Sequence, residues 1–144
     1  MIPHRYVLST DGRLVHGFDG LEVAVRMEGG AEVRLASPAG AAGPNPVQAV
    51  LAALGGCTAM DVISILRKKR QRVTVYEVLV RGQRRQEHPR IFTRIEIVHQ
   101  VHGHDLSPEA IAEAIHLSDT KYCSVHGMLQ PTAEIVSRFE ILPP

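Results

Sequence analysis

From Val47 to Arg70 the chain runs without a proline, and Val47, Val50, Leu51, Leu54, Val62, Ile63, Ile65 and Leu66 recur along it at helical spacing. Both ends carry boundary signals. Asn45 is placed to cap the first turn with Pro46 at the first helical position, and Arg67, Lys68, Lys69 and Arg70 suit the negative C-terminal end of a helix. An apolar face this broad belongs on a buried helix, so the rest of the fold must pack around this segment. Within it, Gly55 and Gly56 stand directly before Cys57. Each glycine costs a helix about 1 kcal/mol relative to alanine. The pair therefore predicts a close approach to bare backbone, either by a packed neighbour or by a segment, partner subunit or substrate closing beside the thiol.

Around this helix the pattern is mostly strand. RYVLS, RLVHGF, LEVAVRM and AEVRLA, in residues 5–36, are separated by Asp11-Gly12, Asp19-Gly20 and Glu28-Gly29-Gly30, which supply positive φ cheaply and predict an antiparallel meander. VTVYEVLVRG (73–82) and RIFTRIEIVHQVHG (90–103) read as a long second hairpin joined by QRRQEHP. Asp105 or Ser107 can cap a second helix that has Pro108 and Glu109 in its first turn and ends near Ser118. Cys123 then falls in a loop, and TAEIVSRFEIL (132–142) closes as a strand. No repeat or long linker divides the chain, so residues 1–144 read as a single α+β domain with helices packed on antiparallel sheet.

Composition removes several function classes. Sixteen basic and fifteen acidic residues leave a formal charge of +1, so no whole-molecule field gathers nucleic acid or anionic membrane. With no Trp, three Tyr and three Phe, the chain lacks the aromatics of a single-strand stacking platform. MIPHRYVLST has no signal-peptide apolar run, and no segment reads as a membrane span, so a cytoplasmic protein is expected. There, Cys57 and Cys123 are expected reduced, as catalytic or redox-sensing thiols, and they are too few for a cysteine-only zinc site.

Cys57 is the twelfth residue from Pro46, about three turns into the helix, where the macrodipole no longer helps a thiolate. Asp61 lies one turn further on the same face, and an ionised carboxylate there opposes thiolate formation. A reactive Cys57 thus needs a cation from another segment or subunit. The bland alternative is a small buried hydrophobe beside packing glycines.

The stretches NPVQAVLAALGGCTAMDV, HPRIFTRIEIVHQVHG and LSPEAIAEAIHLSDTKYCSV, with the closing strand, resemble the family of osmotically inducible protein C and organic hydroperoxide resistance proteins (OsmC/Ohr), on its OsmC-like branch. The resemblance covers about 100 residues in the same order. It implies antiparallel sheets packed on a long central cysteine-bearing helix, in an intertwined homodimer with sites at the subunit interface. It also implies that Cys57 attacks a peroxide O–O bond to form a sulfenic acid, that Cys123 condenses with it to a disulfide, and that external thiols reset the pair. The expected substrate is an organic hydroperoxide, with no metal or organic cofactor. The family's peroxidases carry Glu ten residues before the first cysteine; here that position is Val47, followed by Gln48. They also set an Arg from an N-terminal strand against the thiolate, for which Arg13, Arg26 and Arg34 are candidates by location.

Other constellations have weaker claims. His99, His102 and His104 suggest metal ligands, but on a strand His99 points away from the other two, so solvated strand-end histidines are the preferred reading. His126 could serve Cys123 as a base, although an ordinary loop histidine is the simpler assignment, and Lys121 has no set direction. RKKRQR (67–72) with Arg81, Arg84 and Arg85 reads as solvated helix end and hairpin. Two functions follow: a thiol peroxidase using Cys57 and Cys123, or a non-catalytic relative that binds an apolar ligand or senses redox state.

Overall fold

The computed structural model describes residues 5–9, 21–37, 39–40 and 43–144. Its contacts divide the chain into two compact units, Met1–Val50 and Leu51–Pro144. In the first unit β1 (Arg5–Ser9), β2 (Leu21–Arg26) and β3 (Glu32–Ser37) form a three-stranded sheet in that order. The turn between β2 and β3 uses Gly29 (φ 94°) and Gly30 (φ 97°), as the Glu28-Gly29-Gly30 signal predicts. The simple meander does not hold: β1 pairs with β2 in parallel, Val7 beside Ala24. Adjacent parallel strands need a connection longer than a tight turn, which no local turn signal reveals. RLVHGF, Arg13, Asp11-Gly12 and Asp19-Gly20 lie outside the described residues.

The long helix, α1 (Pro46–Lys68), begins as expected, with one addition. The Gln48 amide N–H bonds Asn45 Oδ1 at 2.8 Å, and Gln48 Oε1 accepts the Asn45 N–H at 3.1 Å, completing a reciprocal capping box. One 18-residue window of α1 has mean hydropathy 1.9, so by length and composition it could cross a membrane, contrary to the sequence expectation. Of that window, 28% is buried. Leu54, Thr58, Val62 and Leu66, spaced by four, are buried on one face.

In the second unit β4 (Arg72–Arg84), β5 (Phe92–His104) and β6 (Glu134–Leu142) form a sheet in that order. β4 and β5 make the expected antiparallel hairpin, with Val80 opposite Ile97. β5 and β6 run parallel, so the chain must cross over between them. That crossover is α2 (Pro108–Leu117), a π-helical turn (Ser118–Tyr122) and α3 (Ser124–Leu129). Ser107 is the cap, its hydroxyl accepting from the Ala110 N–H at 3.2 Å. Val62 and Leu66 of α1 meet Val101 of β5 and Ile111, Ala114 and Ile115 of α2 in the core. Each fully buried Val, Leu or Ile contributes roughly 1.5–3 kcal/mol, which fixes helix against sheet.

The glycines divide in role. A Cβ on Gly55 would stand 3.0 Å from the Val80 Cγ2 methyl, so this glycine lets α1 settle on β4. A Cβ on Gly56 would meet nothing within 4 Å. Gly103 is different again, since its Cβ would strike the Arg72 carbonyl oxygen. In urea unfolding, Gly56→Ala should therefore gain up to about 1 kcal/mol from helix propensity. Gly103→Ala should lose about 1–3 kcal/mol through the forced backbone shift; similar midpoints for the two variants would contradict this assignment.

Candidate functional site

Cys57 stands half-buried on α1, with Asp61 one turn on. Cys123 is buried where the π-helical turn hands over to α3. The segment expected as a loop is helical on both sides of this cysteine, because the Cys123 N–H closes a wide turn onto the Ser118 carbonyl at 2.9 Å. The thiol then caps α3, its sulfur accepting the His126 N–H at 3.4 Å. Thus Cys57 Sγ, Cys123 Sγ and an Asp61 carboxylate oxygen all lie within 4.8 Å of one another. Two cysteines 66 residues apart are brought to one place.

A polar chain holds that place together. Thr58 Oγ1 lies 2.9 Å from Ser118 Oγ, and the Ser118 hydroxyl donates to Asp61 Oδ2 at 2.9 Å. With Ser118 donating to the carboxylate, Thr58 must donate to Ser118. Burial above all pushes the Cys123 thiol up, to about 11; the His126 N–H works against this, while Cys57 and Asp61 add to it. Cys57 is the more accessible of the two sulfurs.

A second buried pair lies on the strands. Tyr76 Oη and His99 Nδ1 are 2.6 Å apart. Burial first, then the nearby charges of Asp119 and Asp61, holds the Tyr76 phenol above its ordinary range, so the phenol donates to the imidazole. His99 is wholly buried rather than solvated, and burial lowers its pKa to about 4. Its Nε2 has no hydrogen-bond partner among the described residues. His102 Nδ1 instead lies 2.8 Å from the Pro143 carbonyl, and His104 is exposed, so the three histidines share no site. His126 is buried in α3, its Nδ1 3.4 Å from Asp119 Oδ1 but out of hydrogen-bond alignment.

Several cations among the described residues have partners of their own. Arg26 and Arg34 both pair with Glu32, at 3.6 and 3.2 Å. Lys69 pairs with Glu113 and Arg72 with Asp105, while Arg84 and Arg85 bond the carbonyls of Arg90 and Pro89 at the hairpin tip. Lys121 Nζ sits 5.2 Å from the Tyr122 ring centroid. A cleft of about 540 Å³ opens between α1 and α2, with Asp61, Met60, Ile65, Lys68, Lys69 and Tyr122 on its walls; of the cysteine-side groups only Asp61 reaches it. Neither the Thr58–Ser118–Asp61 chain nor the separate Tyr76–His99 pair follows from the sequence reading. The usable signal was Ser118, a hydroxyl continuing the buried spacing Ile111, Ala114 and Ile115 of α2.

Residues 38–138 match the family described as OsmC-like protein. This chain belongs to the OsmC family. Within it, Protein YhfA of Escherichia coli (strain K12) is 40% identical over 124 residues, 86% of this chain and 92% of that protein. The crystal structure of a hypothetical protein from Aquifex aeolicus VF5 is similar with a TM-score of 0.73 and 30% identity, over 98% of this chain and 96% of that one. An organic hydroperoxide resistance protein from Elizabethkingia anophelis has the same fold, with a TM-score of 0.63 at 14% identity over 83% of this chain and 88% of that one. The long cysteine-bearing helix packed on sheet is the OsmC arrangement read from the sequence, with one parallel pairing in each sheet as the refinement.

Two measurements follow. At pH 8, native Cys123 should react with iodoacetamide at least about 100-fold more slowly than free cysteine, because two units of pKa remove that share of thiolate; mass spectrometry of digests reads this, and equal rates would contradict it. His99 has a folded pKa below its unfolded value, so the unfolded chain takes up the proton first as pH falls. Its contribution is complete above pH 6.5 and is lost toward pH 4, by about 3 kcal/mol. The pH slope of unfolding free energy across that window should flatten in His99→Gln.

Proposed function

We propose that this OsmC-family chain is a thiol peroxidase in which Cys57 is the nucleophile and Cys123 the resolving thiol. The supporting observation is the convergence of the two sulfurs within 4.8 Å, with Cys57 the accessible one and Cys123 buried behind it. In this reading the Cys57 thiolate attacks the distal oxygen of an organic hydroperoxide. The O–O bond breaks, the alkoxide leaves and takes a proton as the alcohol, and Cys57 becomes a sulfenic acid. Cys123 then attacks that sulfur, hydroxide departs as water, and a disulfide forms. Two external thiols supply the two electrons that return the disulfide to dithiol.

The reading extends to assembly. Only 28% of the apolar window of α1 is buried and Met60 is 74% exposed, a surface that suits the family's homodimer. We treat residues 1–144 as one OsmC-like domain, because the family match crosses from one compact unit into the other. The compartment we assign is the cytoplasm, where dithiol reductants are plentiful.

A second reading, redox sensing or apolar-ligand binding without turnover, is favoured by Val47 at the family's Glu position and by the high pKa of Cys123. Stopped-flow oxidation of the reduced protein by cumene hydroperoxide separates the two. Peroxidase action predicts thiol loss far faster than in free cysteine, abolished in Cys57→Ser, and a dimedone-trappable sulfenic acid in Cys123→Ser. Oxidation at the rate of free cysteine leaves sensing as the function, and no thiol loss sinks the peroxidase assignment.

A further inference from the structure

The geometry points to a divalent-metal site on Cys57, Asp61 and Cys123, of a kind that takes Zn²⁺. Two ligands come from α1 at i and i+4, the spacing that puts both on one helix face, and the third from the junction before α3. Their donor atoms already lie within 4.8 Å of one another. Around tetrahedral zinc, bond lengths near 2.3 Å to sulfur and 2.1 Å to oxygen set the donors about 3.6–3.8 Å apart. The donors therefore stand within about 1 Å of that spacing.

The surroundings suit a ligand set. Asp61 Oδ2 is held by the Ser118 hydroxyl at 2.9 Å, and Ser118 by Thr58 at 2.9 Å, the kind of hydrogen bonding that orients a metal-bound carboxylate. The His126 N–H points at Cys123 Sγ from 3.4 Å, where it can support sulfur carrying negative charge. Asp61 also lines the cleft between α1 and α2, which gives this carboxylate a route to solvent. Two soft sulfurs and one carboxylate favour Zn²⁺ over Mg²⁺ or Ca²⁺. On binding, each thiol releases its proton to water, and the ion faces two thiolates and one carboxylate. Sulfurs so engaged cannot also form a disulfide, so metal loading keeps this pair reduced. The site stands whether or not Cys57 turns over peroxide.

The test uses the full chain, reduced, stripped of metal and kept anaerobic. Titrated with Co²⁺, it should take one equivalent per chain with thiolate-to-cobalt charge-transfer absorption, and Zn²⁺ should then displace the cobalt. Competition against a chromophoric chelator should show Zn²⁺ affinity reduced roughly 100-fold or more in Cys57→Ser and Cys123→Ser, and about 10–100-fold in Asp61→Asn. Absence of the charge-transfer band in the wild-type chain overturns the site, whether or not every variant folds. Unchanged zinc affinity in any one folded variant overturns the three-ligand assignment.

Discussion

The hydrogen bond between Thr58 and Ser118 ties the face of α1 that carries Cys57 to the end of α2, from which the chain turns to Cys123. It is buried and 60 residues long-range, so leaving either hydroxyl unpaired costs about 1–3 kcal/mol. This makes it a register device. An apolar face with Leu54, Val62 and Leu66 can slide on its neighbours by a fraction of a turn at small cost, but two buried hydroxyls have one satisfactory alignment. The same bond passes through Ser118 to Asp61, so one alignment sets both the distance between the sulfurs and the orientation of the carboxylate beside them.

The π-helical turn completes the arrangement. By widening the chain after α2 it brings the Cys123 N–H back onto the Ser118 carbonyl, so the serine that braces Asp61 also anchors the backbone of the second cysteine. Widened turns of this kind interrupt regular helix where a side chain must be redirected. Burial then separates the two sulfurs in character, with Cys123 enclosed and pushed toward its protonated form and Cys57 open to approach. On the strands, Tyr76 and His99 form a second buried hydrogen-bonded pair, with His99 Nε2 left without a partner among the described residues, and the carboxylates of Asp119 and Asp61 discourage ionisation of the phenol.

Much of this was legible. Asn45, Pro46 and the basic tail bounded α1 because capping and dipole effects act within one turn. Ser107 capped α2 for the same reason. The long hairpin of β4 and β5 followed from β-branched runs. His99 was placed correctly on the face opposite His102, yet strand alternation cannot say which face another element covers, and the covered one was His99. Gly55 was recognised as a point of close approach, but its neighbour is Val80 of β4 rather than the second cysteine. The parallel pairings of β1 with β2 and of β5 with β6 had no local signature.

The sequence by itself determined the long apolar helix, its ends, the position of Cys57 three turns inside it and Asp61 on the same face, because these depend on residues a few places apart. The tertiary structure alone decided that Cys123 reaches that face, that Ser118 and Thr58 hold Asp61, and that His99 is sealed in the core. Those contacts join segments that are dozens of residues apart. They exist because buried polar groups must find partners once the apolar faces have packed, and only the packed faces determine which partners are within reach.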